Sequence, residues 1–201
     1  MMKKLFLLLF FVSILSFAQA PQNSLLKNFK SFETPRTNNR PGTVYRINQD
    51  GVQFIVQDIP QIKSDISNDG TLIGQMTFSK DELLTMLNIN FNTEFVTVEV
   101  EIKDAEREFT EQANVDLVLW ENDIAKQIMR DEKSTYYLIR ETVASQNISF
   151  RFDKNSYLLI TTGKSNLKEK TGEGIDFIYE LTKKFNEPKR LFYLEEKLEI
   201  K

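Results

Sequence analysis

Acidic side chains are where chemistry would have to start in this chain, because its 201 residues include no cysteine and no histidine. Zinc and copper sites built on thiolate or imidazole are excluded. So are Ser-His-Asp and Cys-His nucleophilic sites, a histidine general base and a histidine pH switch. Carboxylates remain. Glu99 and Glu101 alternate with apolar neighbours, which places both on one face of a strand. Two carboxyl groups in one cleft, about 5–9.5 Å apart, are what glycoside hydrolysis requires. Lys103 shares that face, so the run reads first as solubilising charge. Glu141 sits among Tyr136, Tyr137, Leu138 and Ile139. Strand parity groups it with Tyr137, Ile139 and Val143, apolar company in which a carboxyl pKa would rise as a general acid needs. Arg140 falls on the opposite face and is no obvious partner. An edge position open to solvent is the simpler expectation for Glu141.

Other constellations are weaker. Asp65-Ile-Ser-Asn-Asp-Gly70 opens like a calcium loop, with oxygens at Asp65, Ser67 and Asp69, but Met76 stands where the closing bidentate Glu belongs. A polar turn is expected there and no metal site. Ser24-Leu-Leu-Lys27 and Ser165-Asn-Leu-Lys168 match the Ser-x-x-Lys spacing of penicillin-recognising serine enzymes, without any companion motif. Gly172-Glu-Gly174 lacks the spacing of a phosphate-binding loop. Lys164, Lys168, Lys170, Lys183, Lys184, Lys189 and Arg190 make the last third locally basic. They suit a solvated loop beside a helix end, or contact with acidic headgroups, anionic glycans or a partner. Trp120 lies within an apolar stripe and reads as a core anchor. Trp120, Tyr137 and Glu141 are the ligand-binding candidates; no catalytic residue and no cofactor is assignable.

The first twenty residues suggest a destination. Lys3 and Lys4 precede an apolar run from Leu5 to Phe17, followed by small residues, the layout of a secretory signal peptide. A membrane-spanning helix needs about 20 apolar residues, and this run stops short. Ala18-Gln-Ala20 fits the small-x-small rule, but Pro21 would follow the cut, with a fixed φ and no N–H. Cleavage after Ala18 is therefore preferred. Export to the periplasm or beyond is expected, with no transmembrane segment in the mature chain. The formal charge of −3 becomes about −5 once Lys3 and Lys4 leave, which argues against nucleic acid as a partner.

The remaining pattern predicts the elements that must position any site. Residues 19–42 read as a flexible tail or linker, and 43–201 as a single domain. Thr43–Ile47 and Val52–Val56 suggest a hairpin, with Ile47 opposite Val52, Tyr45 opposite Phe54 and Thr43 opposite Val56. Residues 61–70 read as a loop and 71–78 as a short strand. Ser79 with Glu82 forms a capping box for a short helix ending near Asn88. Residues 94–103 alternate as a strand with one wet face, and 115–130 carry a helical stripe. Residues 135–144 are β-rich, while 147–152 and 157–162 suggest another hairpin. Residues 163–174 read as a mobile loop, 175–185 as an amphipathic helix and 190–200 as a final strand. Hairpins dominate, which predicts an α+β fold: a mostly antiparallel sheet of about six to eight strands with two or three helices on one face.

No catalytic set emerges from these residues. The expected role is an exported soluble non-catalytic module that binds a ligand or an envelope partner. A pocket between the phenylalanine-rich sheet face and the helix around Trp120 is the expected site. Two other readings stay open: a carboxylate-based hydrolase of envelope glycans, and a membrane-active protein whose alternating strands insert on assembly.

Overall fold

The computed structural model describes residues 24–172 and 175–199. The proposed leader and its cut after Ala18 lie outside the described residues. An eight-stranded antiparallel sheet dominates. It contains β1 (Lys30–Arg36), β2 (Thr43–Ile47), β3 (Gln53–Asp58), β4 (Asp65–Ser79), β6 (Phe95–Phe109), β7 (Thr135–Phe152), β9 (Lys168–Gly172) and β10 (Ile175–Leu198). A second, two-stranded sheet pairs β5 (Asn90–Phe91) with β8 (Ile160–Thr162). The main path runs β1-β10-β7-β2-β3, and β6 bridges β4 to β7. Four short helices complete the fold: α1 (Lys80–Leu87), α2 (Gln112–Asp116), α3 (Ile124–Ile128) and α4 (Lys154–Leu158). The fold is α+β and strand-dominated, as the hairpin-rich pattern predicts.

Alternation in β6 sets the main core. Val96, Val98, Val100 and Ile102 are buried, and they stand opposite Phe78, Met76, Gly74 and Leu72 of β4. On the other side Val100 and Ile102 pair with Phe150 and Ile148 of β7. Leu83 and Leu87 of α1 close over this row, together with Phe192 of β10. A second cluster joins Val115, Leu119 and Ile128 from the α2–α3 region to Val44, Tyr136, Leu138 and Leu198. Phe192 and Leu198 are six residues apart on an extended strand, so both helical regions cover the same sheet face. The opposite face carries an aromatic cluster of Phe32, Tyr45 and Tyr193 with Ile139.

Several sequence expectations are corrected. Lys30–Arg36 is no tail: it pairs with β10, with Lys30 opposite Tyr193. The hairpin of β2 and β3 is slipped by one residue from the expected register, placing Ile47 opposite Gln53, Arg46 opposite Phe54 and Tyr45 opposite Ile55. Asn48 causes the slip. Its side-chain oxygen accepts the Asp50 N–H at 3.0 Å and the Val52 N–H at 2.8 Å, making a five-residue loop with Gly51 at φ 77°. Asp65–Gly70 is strand, paired with Phe109–Ala105, not a loop. Residues 157–162 do not return along β7; Lys154–Leu158 coil into α4, and β8 joins β5. Residues 175–185 are strand, not helix, and Lys168–Gly172 of the expected mobile loop pairs with them.

Candidate functional site

Helix α1 is fixed at both ends by local chemistry. The Ser79 hydroxyl accepts the Glu82 N–H at 3.2 Å, and the Glu82 carboxylate accepts the Ser79 N–H at 2.6 Å. Glu82 also accepts the Ser31 hydroxyl, which ties the helix start to β1. At the other end Asn88 adopts φ 57° and donates its N–H to the Leu84 carbonyl at 2.9 Å. The left-handed turn satisfies a carbonyl that would otherwise be orphaned.

Beneath this helix the sheet is interrupted. The pairing of β10 with β7 shifts register between Lys184 and Lys189, so the segment containing Asn186, Glu187 and Pro188 bulges out of the ladder. Proline cannot donate to a ladder and is confined to such places. Beside the bulge lies a small pocket of about 90 Å³ between α1 and the sheet. Met86, Leu87, Phe150, Phe185 and Phe192 line it. Lys183 is the charged residue in its wall. Lys183 is half-buried, and among the described residues no carboxylate pairs with it. An apolar cleft with one cation in its wall can hold an apolar group and neutralise an acidic group beside it.

The three sequence candidates do not converge on this pocket. Trp120 packs at the edge of the α2–α3 cluster. Its helical segment, Leu117–Glu121, is a π turn, whose freed Leu117 carbonyl accepts the Asn122 side-chain N–H at 2.7 Å. Tyr137 stacks on Tyr45 with ring centroids 5.3 Å apart, and the Lys30 ammonium lies 6.0 Å from its ring centre. Burial opposes the Lys30 charge, but the hydrogen-bonded Glu195 carboxylate outweighs it and raises the lysine pKa. Burial raises the pKa of the neighbouring Tyr193 phenol, whose charged form is the anion.

Glu141 is separated from Tyr137 by one inserted residue. Glu141 stands opposite Leu194, yet Ile139 stands opposite Glu195, so Arg140 is a bulge in β7. A bulge reverses the faces of everything beyond it. Tyr137 and Ile139 therefore belong to the Tyr193 face, while Glu141 and Val143 belong to the Phe192 face. Glu141 accepts from Arg107 of β6 at 3.3 Å, and Asp69 of β4 accepts from the same guanidinium at 2.9 Å.

Other carboxylates are also engaged. Arg151 reaches Glu99 at 3.0 Å and also binds Glu101, and Arg190 donates to Glu108 at 2.6 Å. A second, polar pocket contains Glu99, Arg151 and Asp153. Asp153 accepts the Ser156 hydroxyl at 2.6 Å and its N–H at 2.7 Å, and these bonds lower its pKa. A general acid needs the opposite shift. Nothing in the sequence separates Lys183 from the other lysines of the basic last third. Its position opposite Ile148 depends on the register of β10, where the amphipathic spacing predicts a helix.

No protein-family model and no curated protein sequence matches the chain. A solved structure of a bacterial gasdermin from Bradyrhizobium tropiciagri overlaps 89% of this chain and 85% of that one, at 10% sequence identity and a TM-score of 0.45. At that score the overlap carries no inference about this chain. Among the described residues no helix is long and apolar enough to cross a membrane.

Proposed function

We propose that this protein is an exported, non-catalytic binding module for an amphipathic molecule with an acidic end. The observation that carries this reading is the apolar pocket under α1 with Lys183 in its wall. The leader pattern of residues 1–18 supports export. The tethering of Glu99, Glu101, Glu108 and Glu141 by arginines supports binding over carboxylate catalysis. In this reading the acyl-like body lies against Phe150 and Phe192, and the acidic group meets the Lys183 ammonium.

The test uses delipidated protein with two probes of equal chain length, a single-chain fatty acid and its uncharged monoglyceride. The acid is expected to bind and to raise Tm by linkage. Lys183→Glu is expected to weaken the acid at least about tenfold while leaving the monoglyceride unchanged. Met86→Trp, which fills the mouth, is expected to weaken both. If neither probe binds or shifts Tm, the reading fails.

A further inference from the structure

Four strands of the large sheet pair on one side only among the described residues: β1, β3, β4 and β9. An open edge is a template for another chain, and proteins blunt such edges with charges, prolines and glycines. Three of the four edges are blunted. Strand β1 carries Lys30, Glu33, Pro35 and Arg36; β4 carries Asp65, Asp69, Gly70 and Gly74; β9 begins Lys168-Glu-Lys170. The run Val52-Gln-Phe-Ile-Val-Gln57, which leads into and makes up most of β3, has no charge, no proline and no glycine. Its apolar side chains stand in solvent: Val52 is 48% exposed, Phe54 44%, Ile55 51% and Val56 36%.

This edge is also held firmly. The Asn48 turn fixes its start. At its end Arg40 donates to Asp58 at 3.1 Å and to the Ile59 carbonyl at 3.3 Å, and Ile59 and Ile62 are buried. A preorganised strand loses little entropy on pairing.

We propose that β3 pairs with the β3 of a second copy of this chain, antiparallel about a two-fold axis at Ile55. The sequence is self-complementary in that register. Gln53 falls opposite Gln57, Phe54 opposite Val56, and Ile55 opposite itself. Aromatic with β-branched is a favoured cross-strand pair, and side-chain amides can bond each other. Charge selects the same arrangement. Antiparallel pairing sets Asp58 against Val52, whereas parallel in-register stacking would set Asp58 against Asp58. The contact is isologous and consumes both free edges, so assembly stops at two.

The absence of cysteine makes the test direct. Ile55→Cys introduces the only thiol, so any disulfide joins two copies, and directly opposed strand residues lie within disulfide reach. The purified protein is expected to be dimeric by sedimentation within about 1 µM to 1 mM. Ile55→Cys is expected to cross-link, while Ile66→Cys, exposed on β4, is not. Ile55→Lys is expected to halve the apparent mass, about twofold, without changing Tm at low protein concentration. A wild type that stays monomeric across that range overturns the proposal. So does equal cross-linking at positions 55 and 66, or anionic vesicle binding that Ile55→Lys abolishes in a protein that never dimerises.

Discussion

Asp153 accepts two bonds from Ser156, and both favour its charged form. Its pKa is therefore lowered in the folded chain. A depressed carboxylate contributes stability that is present above its unfolded pKa of about 3.9 and is lost as pH falls through the folded value. Asp153→Asn keeps an acceptor but removes the charge. The variant is expected to be less stable than wild type at pH 7, and the gap in urea midpoints is expected to close as pH falls from about 4 toward 3. A gap of unchanged size at pH 3 would show that the charge is not its source. Glu141 marks the limit of residue-level reading. Parity was a sound rule for an unbroken strand, but the insertion at Arg140 reverses it, and nothing in the run Tyr136–Val143 signals a bulge. Its partner Arg107 comes from another strand, so it was legible only once β6 and β7 were paired.

Helix α1 shows what local sequence does determine. Ser79, Glu82 and Asn88 act within one or two turns of each other, and the capping box and left-handed exit both form. Ser79→Ala removes the acceptor for the Glu82 N–H and is expected to cost about 1 kcal/mol by chemical denaturation, with Ser79→Asp restoring most of it. Because α1 roofs the pocket, Ser79→Ala is also expected to weaken probe binding; unchanged stability would mean that β1 holds the helix unaided. The helix expected over residues 175–185 is a strand for an equally physical reason. Leu181 and Phe185 are four apart, a spacing shared by a helix face and a strand face. Pro188 reads as a helix stop and instead lies in a bulge of β10. The register of β3 differs by one residue from the expected one because it depends on the side chain of Asn48 rather than on hydrophobic order.

At the scale of the molecule, the α+β class followed from the hairpin pattern, while the order of strands did not. The main core depends on residues far apart in sequence. Phe78 and Phe192 lie with ring centroids 6.3 Å apart, and both are fully buried beneath α1. Phe192→Ala is expected to cost about 3–5 kcal/mol, since the cavity would open under both β7 and β10. Guanidinium unfolding monitored by circular dichroism measures it; a cost below about 1 kcal/mol would show that the sheet repacks. The Trp120 cluster is separate from this one, so the same variant tests whether both clusters unfold in one step.

Lys30 binds Glu195 across 165 positions of chain, and among the described residues β1 pairs only with β10. A ribosome releases the chain from its amino end, so β1 emerges early and waits for nearly everything else to be made. Until then the sheet cannot close. The protein's finished form is thus postponed to the end of its own synthesis.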